Sequence, residues 1–215
     1  AFPILPSLNS YSHERTPMTD DIYWHSGDIT KQDRERVTGH RGVCVWLTGL
    51  SGSGKSSVAS ELERLLTERG VHAFWLDGDN IRHGLNRDLG FSPEDRDENI
   101  RRIGEVAKLF VESGTVAIAS FISPYQSTRD EVRAKMADGD FLEVHVDCPL
   151  EVCEQRDPKG IYEKVRAGEI DNFTGIDAPY EAPEDPEFTV DTQEDPSAEA
   201  SAKKLLAYLE ERGYI

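Results

Sequence analysis

No apolar run in the chain approaches the ~18 residues that a membrane-spanning helix needs, so no such helix is expected. The N-terminus lacks a basic region followed by a long apolar core, so no secretory leader is expected. Cysteine is scarce: Cys44, Cys148 and Cys153 form no C-x-x-C pair, and the latter two flank Pro149 at a spacing poor for metal binding. A disulfide framework is therefore excluded as an organising device, and the pattern points to a reducing, cytoplasmic setting. Cys44 lies in an apolar run and reads as a small core residue. Positive charge is also short. The 215 residues carry 24 Lys and Arg against 41 Asp and Glu, a net charge of −17. That balance argues against general nucleic-acid binding. The basic residues are nevertheless not spread evenly. Arg82, Arg87, Arg96, Arg101 and Arg102 fall close together, while the acidic surplus lies mostly in the C-terminal third and reads as solvated surface.

At 37% hydrophobic and 30% charged residues, the composition suits one globular domain with a good core. The stretch that organises it is Gly49-Leu50-Ser51-Gly52-Ser53-Gly54-Lys55-Ser56, a G-x-x-x-x-G-K-S phosphate-binding loop. The apolar run Val43-Cys44-Val45-Trp46-Leu47 precedes it, and Val58, Leu62, Leu65 and Leu66 follow at helical spacing. A loop between a buried strand and a helix is the context that gives the motif meaning. Its glycines let backbone N–H groups face a phosphate chain, and the helix N-terminus adds partial positive charge. Lys55 is expected to reach the β- and γ-phosphates of ATP and Ser56 to ligate Mg2+, with Ser57 alongside.

Further elements follow in order. The first helix is expected to run to about Arg69, closed by Gly70. A second strand, His72–Leu76, ends at Asp77-Gly78-Asp79, where carboxylates enter the crevice used by α/β folds. Asn80–Asn86 reads as a short helix. Ser92-Pro93-Glu94-Asp95 reads as a helix start, with an N-cap serine and proline at N1. That helix runs to about Glu112 and ends at Gly114. A strand over Thr115–Ile122 follows, then a helix capped by Ser127 or Thr128 and running to about Met136. A strand over Phe141–Asp147 leads to a helix begun by Pro149 and reaching Glu154. Residues 158–185 are polar and rich in Gly and Pro, with one helix over Tyr162–Ala167. So long a stretch inside a compact domain reads as a mobile lid. A short strand at Phe188–Val190 and an amphipathic helix over Ala198–Glu211 close the chain. Strands alternate with helices, so the expected fold class is α/β: a mostly parallel sheet with helices on both faces, which with the phosphate loop is the architecture of P-loop NTPases.

Residues 1–17, with Pro3, Pro6 and Pro17, read as an upstream linker or appended segment, and Met18-Thr19-Asp20-Asp21 as a natural start. Residues 18–41 read as an N-terminal extension and 42–215 as the P-loop domain, which the motifs below assign to a kinase. His25 and His40 read as surface or packing residues rather than ligands.

A phosphate loop alone implies a nucleotide and leaves the reaction open. The D-G-D carboxylates, the arginine-rich segment and the lid together suit a small-molecule kinase whose lid excludes water. Several motifs then carry a specific resemblance. Besides the loop, they are Asp77-Gly78-Asp79-Asn80-Ile81-Arg82-His83-Gly84-Leu85, Leu89-Gly90-Phe91-Ser92, Asp95–Arg102, Phe121-Ile122-Ser123-Pro124-Tyr125, Arg156-Asp157-Pro158-Lys159-Gly160 and Phe173-Thr174-Gly175-Ile176-Asp177. Over roughly residues 22–215 the chain resembles the adenylylsulfate kinase family.

The resemblance implies transfer of the ATP γ-phosphate to the 3′-hydroxyl of adenosine 5′-phosphosulfate, in sulfate assimilation. It implies that Asp79 accepts or orients the hydroxyl proton; of the two carboxylates Asp79 is favoured for that role, and Asp77 reads as a cap of the turn. Arg82, Arg96 and Asn99 would hold the phosphosulfate and ribose, with Asn80 nearby. Phe91 and Phe173 would enclose the acceptor adenine, Ile122 and Ser123 would line the acceptor pocket, Lys159 would contact substrate from the lid, and Arg156 would cover the ATP adenine. Ser123 is assigned a phosphoserine intermediate in parts of the family, although direct in-line transfer needs none. Arg101 and Arg102 read as solvated helix face. Asn172 stands where the family often has glycine. The resemblance also implies a homodimer and leaves open association or fusion with a sulfate adenylyltransferase. Two other readings stand beside it. One is a catalytically silent nucleotide-sensing domain of a sulfurylase system, for which the intact loop is unexpected. The other is a P-loop kinase for another small acceptor, such as gluconate or a nucleoside.

Overall fold

β1, Val43–Thr48, alternates its side chains between two separate cores, and this fixes the layering of the domain. Val43, Val45 and Leu47 pack with one apolar cluster, and Cys44 and Trp46 with another. Period-2 alternation sends neighbouring residues to opposite faces, so a strand apolar at every position needs cover on both sides. The computed structural model describes residues 23, 25, 27–194 and 197–215; the readings of residues 1–17 and of the start at Met18 lie outside them.

Four further strands join β1: β2 (Ala73–Asp77), β3 (Val116–Ser120), β4 (Phe141–Asp147) and β5 (Phe188–Asp191). Their order is β2-β3-β1-β4-β5, and every pairing is parallel. On one face lie α2 (Lys55–Glu68) and α8 (Ala198–Glu211), burying Leu62, Leu66, Leu205 and Leu209. Truncating one of these to Ala costs about 2–5 kcal/mol. On the other face lie α4 (Pro93–Glu112) and α5 (Gln126–Arg133), with Ile103, Ala107 and Val132 around Trp46. Because β1 has β3 on one side and β4 on the other, the crevice at its C-terminal end is the switch point where such sheets bind ligands. Cys44 is fully buried in this core, as its apolar surroundings predict.

Several boundaries depart from the sequence expectation, each for a local reason. A helix α1, Lys31–Thr38, precedes β1; its apolar content is too low to announce it. A Thr30–Asp33 capping box starts it, and Lys31 pairs with Asp140 at 2.7 Å. α3 covers Gly78–Arg82 rather than Asn80–Asn86, because Asp77 accepts from the Asp79 and Asn80 N–H groups and starts the helix early. β3 stops at Ser120, and the next three residues turn toward the crevice. α5 starts at Gln126 and ends at Arg133; neither Ser127 nor Thr128 caps it, and Thr128 donates back to the Tyr125 carbonyl at 3.0 Å. Pro149 is the N-cap of α6 (Leu150–Arg156) rather than its first residue. The 158–185 segment holds α7 (Ile161–Arg166) and a Thr174–Ala178 bridge. His40 is buried and accepts from the His72 N–H at 3.0 Å, a packing role as expected. Among the described residues, no helix is long and apolar enough to cross a membrane.

Candidate active site

The phosphate loop turns directly off the end of β1. A Cβ on Gly49 would lie 2.5 Å from the Val146 carbonyl oxygen of β4, so the sheet admits no side chain there. Gly54, the N-cap of α2, takes φ 101, open to glycine and costly for other residues. It provides no side-chain capping bond, and the first turn of α2 holds no acidic residue. The first turn of α2 thus carries no carboxylate of its own to occupy those amides, and the helix dipole favours an anion there.

Lys55 is buried behind the loop. Its Nζ donates to the Leu50 carbonyl at 2.7 Å and to Ser53 Oγ at 3.5 Å. Burial lowers its pKa to about 8, opposed by the negative charges of Asp77 and Asp79. Ser56 Oγ donates to Asp77 Oδ2 at 3.0 Å, and Ser120 Oγ donates to the same oxygen at 3.3 Å. Asp77 therefore does more than cap α3. It sets a carboxylate against the loop serine, two hard oxygen donors of the kind Mg2+ takes from protein while the phosphates and water supply the rest.

A single cleft of about 960 Å³ runs from the loop to α4. From the expected nucleotide side it is lined by Ser51, Gly52, Gly54, Lys55, Ser56, Ser57 and Arg156. From the expected acceptor side it is lined by Asp79, Arg82, Phe91, Arg96, Asn99, Ile122, Ser123, Lys159 and Phe173. Four expected residues stand outside the lining. Gly49 lies against β4, the Leu50 and Ser53 carbonyls accept from Lys55 and Thr192 respectively, and the Asn80 N–H bonds to Asp77 Oδ1 at 3.2 Å.

The acceptor-side groups are held as follows. Lys159 forms an ion pair with Asp79. Phe91 is 67% exposed, which excludes a core role, and the Arg82 guanidinium lies 4.3 Å over its ring. Arg82 also donates to the Gly90 carbonyl at 2.8 Å. Arg96 donates to the Phe91 carbonyl at 3.0 Å, to Thr174 Oγ1 at 2.7 Å and to the Asn172 carbonyl, so it ties α4 to the 158–185 segment. Asn99 is buried and accepts from Asn86 Nδ2 at 2.9 Å. Phe173 meets Tyr162 edge-on at 5.0 Å between centroids. Asn172 has φ 58, a left-handed backbone that glycine enters freely and asparagine tolerates better than most residues. Ser123 has φ 38 and is buried, and its Oγ accepts from Trp46 Nε1 at 3.0 Å. Arg101 and Arg102 pair with Glu98, and Arg102 also with Asp88, a helix-face network outside the cleft lining.

Sequence reasoning missed three supports. Thr192, in the turn after β5, donates to the Ser53 carbonyl at 2.9 Å, and its own oxygens accept from both Arg156 amino groups at 3.1 and 2.6 Å. Thr48 donates to the Ile122 carbonyl at 2.7 Å, with the Tyr180 hydroxyl 3.1 Å away. Arg129 lies fully buried behind Ser123. Thr48 and Thr192 carried no signal beyond their places at strand ends. Arg129 could have been noticed as a charge three residues from Val132 on the apolar face of α5.

A parallel sheet with a loop-to-helix phosphate cradle, and a second lined wall opposite it, defines a P-loop phosphotransferase acting on a small acceptor. Comparison with known proteins narrows the class. The family model for adenylylsulphate kinase matches residues 41–191. The chain belongs to that family. It is 56% identical over 197 residues to the adenylyl-sulfate kinase of Staphylococcus haemolyticus, covering 92% of this chain and 98% of the relative. The adenylyl-sulfate kinase of Lactiplantibacillus plantarum is 55% identical over 197 residues, covering 92% and 95%. Among solved structures, the Mycobacterium tuberculosis APS kinase in complex with AMPPNP and APS superposes with a TM-score of 0.76 at 51% identity, covering 80% of this chain and 99% of that one.

Proposed function

We propose that the enzyme transfers the ATP γ-phosphate to the 3′-hydroxyl of adenosine 5′-phosphosulfate, giving 3′-phosphoadenosine 5′-phosphosulfate. The observation that carries this reading is that the phosphate loop and the Asp79, Phe91 and Phe173 wall share one cleft. In-line transfer requires the two oxygens that exchange phosphorus to meet in such a space.

ATP lies with its phosphates against the Gly52–Ser56 backbone and Lys55, whose charge balances that accumulating on the γ-phosphoryl oxygens. Arg156, braced by Thr192, covers the nucleotide end. Ser56 and Asp77 fit Mg2+ and would hold it, and the ion supplies charge neutralisation at the β- and γ-phosphates. Asp79 orients the 3′-hydroxyl and receives its proton. A loose transition state asks mainly for position, which the start of α3 supplies. Phe91 and Phe173 hold the acceptor adenine, and Arg82, Arg96 and Asn99 face its anionic end, where guanidinium forks suit oxyanions. Ile122 and Ser123 form the back wall. Residues 158–185 act as the lid, with Lys159 brought to Asp79 when it is shut. Exclusion of water prevents loss of the phosphoryl group to hydrolysis.

The enzyme works as a homodimer, alone or joined to a sulfate adenylyltransferase. The exposed Phe74 and Leu109, on an edge strand and on α4, supply apolar surface for such contacts, and light scattering on the purified chain reads the mass directly.

The test of activity is ADP formation from Mg-ATP with and without adenylylsulfate. ADP release that depends on the acceptor, with a 3′-phosphorylated product, is the expected result. Turnover of gluconate or a nucleoside but not of adenylylsulfate would overturn it, and nucleotide binding without turnover would favour a sensing role.

A further inference from the structure

We infer that Arg129 is a positioning residue that couples the acceptor wall to the distal end of the lid. The inference rests on the assignment of Ile122 and Ser123 to the acceptor pocket. Arg129 sits on α5 with a side chain at 0% exposure, and it is not itself one of the residues that line the cleft. Its guanidinium spans three segments that are remote in sequence. Nε pairs with Glu143 of β4. Nη1 donates to the Ser123 carbonyl at 2.8 Å. Nη2 donates to Gln126 Oε1 at 2.6 Å and to the Glu181 carbonyl at 2.8 Å.

The Glu181 end is itself docked on the acceptor wall. Its N–H donates to the Pro124 carbonyl at 2.8 Å, and its carboxylate accepts from the Gln126 N–H at 2.7 Å. Residue Tyr125, the N-cap of α5, makes no side-chain capping bond, so a glutamate of the lid segment supplies the missing cap. Beside it, the Tyr180 hydroxyl lies 3.1 Å from Thr48 Oγ1, which donates to the Ile122 carbonyl. The carbonyls of residues 122, 123 and 124 are thus all held, and each bond leads directly or through one side chain to residues 180–181.

The backbone of Ser123 explains why such holding is required. At φ 38 it occupies a region that a non-glycine residue keeps only when its surroundings over-determine it. A fork of fixed geometry can hold the Ser123 and Glu181 carbonyls together while its remaining nitrogen meets a buried carboxylate. A lysine can meet the carboxylate but cannot span both carbonyls.

The test compares wild type with Arg129→Lys and Glu181→Ala. The readouts are KM for each substrate and the ratio of acceptor-independent ATP hydrolysis to phosphoryl transfer. Arg129→Lys is expected to raise the adenylylsulfate KM about tenfold, to move the ATP KM by no more than about twofold, and to raise the hydrolysis ratio. Glu181→Ala, altered only at an exposed side chain, is expected to act in the same direction less strongly, and the double variant to be non-additive. It carries the test by itself if the lysine variant fails to fold. Unchanged acceptor KM and hydrolysis ratio, or an equal rise in both KM values with a lowered melting temperature, would overturn the inference. Phe173→Ala separates the two layers. If it too leaves the adenylylsulfate KM unchanged, the acceptor assignment is at fault; if it raises that KM while the Arg129 and Glu181 variants do not, only the coupling fails.

Discussion

Lys159 of the proposed lid is ion-paired with Asp79 at the start of α3, across 80 residues of sequence. Both side chains are more than half exposed, at 55% and 66%, so the pair adds little to global stability. Its consequence is local: it fastens a polar segment over the carboxylate assigned to the acceptor hydroxyl.

Removing that fastening is expected to loosen the lid and leave the domain intact. Lys159→Ala should speed proteolytic cleavage within 158–185 and lower turnover of adenylylsulfate, while the unfolding free energy changes by no more than about 0.5–1 kcal/mol. A cleavage rate equal to that of wild type would mean that the pair does not hold the segment.

Asp79→Asn keeps the shape and removes the proton acceptor. The kcat should fall by roughly 10²-fold or more, with ATP affinity close to wild type, because the loop contacts are untouched. Single-turnover kinetics and nucleotide titration read the two effects separately. Unchanged kcat would return the role to Asp77 or to no side chain at all.

Lys55 predicts a proton linkage. Burial lowers its pKa from the ordinary 10.5 to about 8, so above pH 8 the folded protein holds it increasingly neutral. A bound triphosphate favours the charged form and raises the value again. Near pH 8.5, ATP binding should therefore take up a proton, and affinity should weaken as pH rises through this region. Calorimetry in buffers of different ionisation enthalpy measures the uptake, and none in wild type would refute the linkage. For folding, the sign is the opposite of the salt-bridge case. The unfolded chain binds the extra proton between about 8 and 10.5, so burying Lys55 costs stability in full below pH 8, and that cost disappears as pH rises through this window. The difference between wild-type and Lys55→Met stability curves isolates it.

Ser123→Ala discriminates between direct and covalent transfer. The substitution leaves the Trp46 indole N–H, buried in the core, without its acceptor. Stability should drop by about 1–3 kcal/mol on denaturant titration. Turnover should stay within about fivefold of wild type, since a loose transition state needs position rather than a nucleophilic hydroxyl. Complete loss of turnover in a folded protein would favour a phosphoserine route.

Legibility from the sequence followed the locality of the cause. The strand cores at Val43–Thr48 and Phe141–Asp147 and the final helix Ala198–Glu211 were readable almost to the residue, because apolar periodicity is written along the segment that uses it. The start of α4 at Ser92 was readable for the same reason, since a cap acts within one turn. The beginning of α5 was not, because its cap is a glutamate 55 residues downstream. α1 was missed because it is polar apart from the exposed Val37 and is held by Lys31–Asp140 and by Arg34 on the Glu112 carbonyl, at 2.9 Å.

By itself the sequence determined the phosphate loop and the strand–helix alternation, and it supplied the groups proposed for the nucleotide and the acceptor. Those depend on covalent order and on interactions within a few residues. The tertiary structure alone decided that Asp77 faces Ser56, that Lys159 reaches Asp79, and that Arg129 joins Ser123 to Glu181. Each joins segments separated by loop closures and sheet crossovers. Partners fixed by packing in three dimensions leave no period in one.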